Sequence, residues 1–424
     1  FFLSSLTMSG QLNVTIPDCK IEGSYASKYI NYNIKTAPLG LSVWRKFTDF
    51  NWLRSMLKKR YVGMYIPPIP AKLVSPPTSS VAASRRRTFC CFLRQIGTHE
   101  VLRFDTAVLE FLGQQDDVAW SRYMLDTTSE GGFSWQAAAI EANPTDQSII
   151  DNAILDHKKQ LTLHEKQLTK LAASVKSMAT ASKAMNKAVI KCAEAANNYS
   201  NVPITENPDN NDRTSFKKPI ALMGGVLNVW GRKSALEPAI LIDVMSTCID
   251  YELMSVSAFR DLLSTRDNHY IEFEKLSKKH TEHSTAKETG KTETKGSRFS
   301  EFLPKSMVAQ PKPIEDAIES AKIALDTQEE ICKACTGALF NTEFKKFEND
   351  RASQFKLIVS MVGAGMLKSQ GDVAKAWDNS TANIKTDILL KRMNKLIPDF
   401  EDYNNKHGTE EESGEDMGGD DGTD

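Results

Sequence analysis

Paired cysteines, long apolar runs and the glycine-rich signatures of catalysis are missing from this chain, and each absence removes a class of protein. The seven cysteines are an odd, scattered set, which excludes a secreted disulfide framework and fits a reducing compartment. Cys332 and Cys335 form a lone Cys-x-x-Cys with no second pair or nearby histidine to complete a zinc set; their Ala-rich helical surroundings predict a buried structural role. No segment approaches the roughly 18 apolar residues of a membrane span. The apolar start, Phe1-Phe2-Leu3-Ser4-Ser5-Leu6, lacks a basic flank and is too short for a signal peptide, with Met8 a candidate start. The chain therefore reads as soluble and cytoplasmic, with any membrane contact peripheral. There is no Gly-rich phosphate loop, no Gly-x-Ser-x-Gly and no clustered metal ligands, so no catalytic residue, metal or cofactor is expected, and the chain is not read as an enzyme. His157 and His164 stand seven apart at helical seam or surface positions.

What is present begins with charge. At 424 residues the chain is long enough for two or three domains with real cores. The net charge of -1 conceals an asymmetry: residues 1–113 hold 15 Lys+Arg against 6 Asp+Glu, and residues 400–424 hold 1 against 10. A basic head and an acidic tail point to an anionic surface as the head's partner. Nucleic acid is not that partner, because no familiar motif is present and the aromatics among the cations read as buried.

The head carries three cation-bearing segments in order: Trp44-Arg45-Lys46-Phe47-Thr48-Asp49-Phe50, Ile66-Pro67-Pro68-Ile69-Pro70-Ala71-Lys72, and Arg85-Arg86-Arg87-Thr88-Phe89-Cys90-Cys91-Phe92-Leu93. Arg and Lys beside an aromatic or proline-fixed frame suit a phosphorylated headgroup, through charge-assisted hydrogen bonds and ring packing. Around them, alternating Leu12, Val14 and Ile16, then residues 29–36, then 41–44 predict a strand meander. A helix follows Thr48-Asp49, carried by Phe50, Leu53, Met56, Leu57 and Tyr61; the proline cluster forms a stiff loop; Phe89, Phe92, Leu93 and Ile96 define a helix over 84–96; and a last one covers 101–112.

This combination resembles the phox homology (PX) domain of the sorting nexins over roughly residues 10–113. The resemblance implies an α+β fold, a three-stranded antiparallel sheet plus helices, and a phosphoinositide pocket. In that pocket Lys46 would meet the 3-phosphate, Phe47 the inositol ring, Lys72 the bridging phosphate and Arg85 the ring hydroxyls, with Arg45 and Arg86 as flanking support. Lys46 stands where the family's motif has a second Arg. A lysine is a point charge without the planar fork that grips phosphate bidentately, so selectivity is relaxed or weakened.

Residues 114–145 read as a linker whose Trp120, Tyr123, Met124, Phe133 and Trp135 pack where two domains meet. From 146 to 400 the pattern is helical. Ile154, Leu161, Leu168, Val175, Ser182 and Val189 repeat every seven, with Leu171, Met178, Met185 and Cys192 as a second row; an almost uniformly basic set runs from Lys158 to Lys191. Residues 197–231 read as a connection, broken by Gly224-Gly225. A second helix carries Ile242, Ile249, Val256, Leu263 and Tyr270, residues 278–313 read as flexible, and a third helix spans 314–367. Three long helices after a PX-like unit, with Phe344-Lys345-Lys346-Phe347-Glu348-Asn349-Asp350-Arg351 in the third, resemble the all-α three-helix BAR region of those nexins. Residues 401–424 read as a disordered acidic tail.

The resemblance implies a peripheral protein of endosomal membranes that binds phosphatidylinositol 3-phosphate, forms homo- or heterodimers through its helices, senses or generates curvature, and meets retromer-like or cargo partners in protein sorting. The alternative is a coiled-coil adaptor whose PX fold has lost strong lipid binding and works through protein partners. It accounts for Lys46 but leaves the basic head unexplained.

Overall fold

Alternation of apolar and polar residues puts Val14 and Ile16, Ile30, Tyr32 and Ile34, and Val43 on one face of a sheet and buries them. In the computed structural model, which describes residues 12–24, 28–37, 39–128, 147–202, 217–288 and 314–381, this sheet has three antiparallel strands in the order β1 (Asn13–Glu22), β2 (Tyr29–Ala37) and β3 (Leu41–Lys46). Tyr32 faces Arg45 and Asn31 faces Lys46 across the second pairing, and the β1–β2 register shifts between Thr15 and Asp18. Helices α1 (Phe47–Arg60), α2 (Ser79–Thr98) and α3 (Thr106–Gly113) close the core. There Phe50 stacks on Phe89 at 4.0 Å, with Phe92 and Phe111 at its edges. Truncating such a fully buried ring costs about 3–5 kcal/mol.

Two helix starts lie earlier than their sequence signals. α1 begins at Phe47, with Asp49 in its first turn accepting from the Lys46 amide at 2.8 Å instead of serving as the cap. α2 begins at Ser79, capped by Thr78, five residues before the predicted start. The segment read as a linker is a correction: residues 117–128 form helix α4 (Asp117–Thr128), docked on the sheet-bearing unit. Trp120, 3% exposed, packs against Trp52, Phe111 and Tyr123, so these aromatics complete the first core. Phe133 and Trp135 lie outside the described residues.

The remaining helices are α5 (Gln147–Ser200), α6 (Lys217–Ser234), the single turn α7 (Glu237–Ala239), a π-helical stretch Ile240–Ser246, α8 (Thr247–Glu288), α9 (Ile314–Ala338), a second π-helical stretch Leu339–Glu343, and α10 (Phe344–Thr381). The chain divides into two compact units. The first comprises residues 1–178 and 241–362, the second 179–240 and 363–424.

In the first unit the sheet-bearing part is packed onto α8, α9 and α10. Tyr65, from the loop after α1, inserts between Phe259 (5.6 Å) and Phe347 (5.3 Å). Its amide donates to Glu343 Oε2 at 3.1 Å, and His99 Nε2 lies 3.4 Å from Glu343 Oε1. His99 Nδ1 accepts from the amides of Val101 and Leu102, so the ring is neutral and its Nε2–H donates to the carboxylate. Gly63, at φ 93°, lies so close to α9 that an added Cβ would sit 2.5 Å from the Cys335 Cα; both backbone shape and space demand glycine. Tyr251 Oη donates to Gln95 Oε1 at 2.8 Å, closing the seam from α8.

The first heptad row of α5 is buried at Ile154, Leu161, Leu168, Val175 and Val189, while Ser182 is half-buried. The second row is displaced by one residue. Ala172, Ala179, Asn186 and Ala193 face inward, while Leu171 (38%), Met178 (48%) and Met185 (54%) are exposed. Small inward residues let neighbouring helices approach closely. Several of the lysines are neutralised locally, Lys158 by Asp267 and Lys176 by Asp250. On the second helix Ile249, Val256 and Leu263 are buried but Ile242 is 42% exposed. Residues 278–288, read as flexible, continue α8, and the third helix runs to Thr381 instead of stopping at Leu367. Residues 289–313 lie outside the described residues, as do 382–424 with the acidic tail.

In the second unit Gly224 and Gly225 do not break a connection; they lie inside α6. An added Cβ at Gly224 would collide with Asn197, and one at Gly231 would sit 2.6 Å from Ile190 Cγ1, so glycine sets the spacing of α5 and α6. Asn186 donates to the Ser234 carbonyl at 2.7 Å, and Ser369 to Glu237 Oε1 at 3.0 Å.

Candidate functional site

The pocket residues come from three places: the β3–α1 junction, the proline loop and the second turn of α2. Arg85, 8% exposed, reaches back across the loop, and its Nη1 donates to the Ala71 carbonyl at 2.6 Å. Its guanidinium carbon stands 5.2 Å from the Phe47 ring centroid and 5.6 Å from that of Phe89, both in cation–π range. The structure thus brings Phe47, Arg85 and the backbone next to Lys72 together. Burial pushes the Tyr32 phenol up to about 12, with the facing Arg85 cation opposing it.

Lys46 and Lys72 are both exposed and have no side-chain partner among the described residues. Strand alternation explains Lys46: Val43 and Arg45 point into the core, while Trp44 and Lys46 point out. The loop after Lys72 adds Val74, whose side chain is wholly exposed. The proline loop at Ile66–Pro70 is held by Arg54 Nε donating to the Pro67 carbonyl at 2.8 Å, which fixes where Ala71 and Lys72 fall.

Two flanking arginines are engaged elsewhere. Arg45, 1% exposed, is a core residue and a correction to its expected supporting role. It donates to the carbonyls of Phe111 (3.0 Å) and Gln114 (2.6 Å), and its guanidinium carbon lies 4.4 Å from the Trp120 ring. It satisfies the open carbonyls at the end of α3 and ties α4 to the sheet. Burial pulls its pKa down to about 10. Arg86 Nη1 donates to the Pro17 carbonyl at 2.6 Å, at the irregularity in β1, so its guanidinium braces the strand. Sequence reasoning missed the seam of Gly63, Tyr65, His99 and Glu343; no local motif carries it, because its partners are separated by more than two hundred residues.

Cys332 and Cys335 are buried on α9 as free thiols, and burial pushes them up to about 11 and about 12. Among the described residues no cluster of His, Cys, Asp and Glu is placed to hold a metal, and no helix is long and apolar enough to cross a membrane.

A three-stranded meander, a proline loop and a basic helix converging on Phe47 define a PX domain. The PX domain family model matches residues 39–115. Among curated relatives, a stretch of 91 residues is 34% identical to sorting nexin mvp1 of Aspergillus oryzae, covering 22% of this chain and 13% of that protein. Over 159 residues the chain is 27% identical to sorting nexin 1 of Arabidopsis thaliana, covering 35% and 39% of the two. The matched region is thus a minor part of these relatives' length. The fold as a whole matches the cryo-EM structure of the SNX-BAR Mvp1 tetramer, with a TM-score of 0.57 at 16% identity, over 88% of this chain and 99% of that one. The chain thus carries a PX domain, and its overall fold is similar to that of the SNX-BAR Mvp1 structure.

Proposed function

We propose that the protein is a peripheral membrane sorting nexin that binds phosphoinositide, phosphatidylinositol 3-phosphate in the first place, on endosomes. We read residues 10–113 as its headgroup-binding domain, extended by α4, and residues 146–400 as its BAR-type dimerisation region. The observation that carries the lipid reading is the held guanidinium of Arg85, set over Phe47, with the free cations Lys46 and Lys72 on the two flanking segments. An anionic headgroup would gain charge-assisted hydrogen bonds from all three, with the ring beneath it. Val74 stands free beside this cation set, an apolar side chain available to the lipid interface. Exposed apolar residues on α5, Leu163 and Leu171 among them, give a second copy a surface to cover. Pairing two modest headgroup sites lifts apparent affinity by about a hundredfold where both engage one membrane. A dimer formed this way would sense or impose curvature during protein sorting.

Liposome sedimentation with and without phosphatidylinositol 3-phosphate tests the pocket. Lys46→Ala and Lys72→Ala change exposed side chains and leave the fold intact, so each is expected to reduce lipid-dependent sedimentation. Equal sedimentation of wild type and both variants on either lipid mixture refutes the pocket. Light scattering at micromolar concentration tests the pairing, and a monomer refutes it.

A further inference from the structure

Beyond headgroup capture and pairing, the seam between α2 and the third helix encloses a groove of about 810 Å³ that neither role uses. We propose that this groove docks an acidic, extended peptide segment of a partner protein. Its third-helix wall runs from Asn341 to Leu357, with lining residues recurring every three or four positions. At 1.5 Å per residue that wall is about 24 Å long, the span of about seven residues of extended chain. The opposite wall is the end of α2 from Arg94 to Thr98 and the residues after it, as far as Val101. The volume falls in the range of real ligand sites, and the shape is that of a trough.

The chemistry along the trough is that of a peptide receptor. Asn341, Asn349 and Ser353 are exposed and have no side-chain partner among the described residues, so their amides and hydroxyl are free to meet a backbone laid along them. Apolar contact comes from Met64, 4% exposed, and from Leu357, 38% exposed. The Asn341 and Thr342 end is built on the π-helical stretch, whose widened turn interrupts the regular helical wall.

Charge selects the class of peptide. Lys346 is paired with Asp350, so that cation is neutralised within the protein, while Glu343, which accepts from the neutral His99 ring, is 1% exposed and does not line the groove. Arg94 bonds only to neutral groups, the Gln354 amide oxygen and Cys91 Sγ. Lys345 is exposed with no partner among the described residues. Against these two unneutralised cations stands one acid, Glu100. The excess is positive and set within a trough, which favours carboxylates on an extended chain over the flat face of a bilayer.

The test uses the full chain, with an array of random octapeptides as the probe and fluorescence anisotropy for the strongest binders. Lys345→Glu and Ser353→Trp alter exposed positions; the first reverses the selecting charge and the second fills the trough. The expected result is enrichment of Asp and Glu among bound peptides, at least tenfold weaker binding by both variants, and liposome sedimentation and thermal melting equal to wild type. Absence of acidic enrichment, or equal binding by wild type and Lys345→Glu, overturns the proposal. Loss of liposome sedimentation in Lys345→Glu with peptide binding unchanged also overturns it, and assigns the groove to the membrane.

Discussion

Glu252 on α8 is 1% exposed, and its sole cationic neighbour by ion-pair distance among the described residues is Arg351. The pair is loose: Glu252 Oε2 lies 3.5 Å from Arg351 Nε, and neither atom has a hydrogen-bond partner among the described residues. Burial pushes the carboxyl up to about 7; Arg351 pulls it down and Asp350 pushes it further up. Its ordinary value is 4.5, so between those values the folded chain holds a proton that the unfolded chain has released. Stability from this group is therefore complete below pH 4.5 and is lost as pH rises through 7. At about 1.4 kcal/mol per pKa unit, the loss by pH 8 is about 3 kcal/mol. Glu252→Gln removes the titration and keeps the volume and an acceptor for Arg351. Urea unfolding at pH 5, 6.5 and 8 is expected to show the variant gaining on wild type as pH rises, by about 1–3 kcal/mol at pH 8. His164 faces the same arginine and is pulled below its usual value by burial and by that cation. Its contribution is lost as pH falls, the opposite sense, so the variant-minus-wild-type difference isolates Glu252. A difference flat across pH, or a variant weaker at pH 8, refutes the argument.

Other substitutions probe the remaining parts of the molecule. Arg45→Ala leaves the α3 carbonyls unpaired beneath Trp120, and about 2–4 kcal/mol of stability should be lost in chemical denaturation, whereas Lys46→Ala should leave the midpoint unchanged. Gly63→Ala meets both a strained φ and the Cys335 backbone; a loss of about 1–3 kcal/mol is expected in thermal melts. A fragment ending at residue 128 should resist urea better than one ending at 113, because only the longer one keeps Trp120 in the core. Ala172→Glu should unfold the helices, while Leu171→Glu should leave melting intact and weaken self-association in sedimentation velocity.

The sheet, the proline loop and the first heptad row were legible because each is written in local periodicity or in residues with a single conformational meaning. Where apolar size and burial part company, reading failed. On α5 the larger side chains, Leu171 and Met178, lie outside and alanines lie inside, since close helix spacing rewards small volume over hydrophobic content. Gly224 and Gly225 signalled a break when considered alone, yet Gly224 is set by a neighbour, Asn197, that no local window contains. The pocket shared this split. Strand alternation sent Lys46 out and Arg45 in, but only the packed structure shows that Arg45 is occupied by the end of α3.

The inserted Tyr65 and the unsubstitutable Gly63 make the sheet-bearing part and its supporting helices move as one body. On the proposed reading, a lipid head gripped at Arg85 would fix the tilt of α8 against the bilayer, with no tether to search and no loop entropy to lose. Membrane residence time would then depend on the rigidity of this joint as much as on the proposed headgroup contacts. A softened hinge at Tyr65 would shorten residence without altering any group that touches lipid.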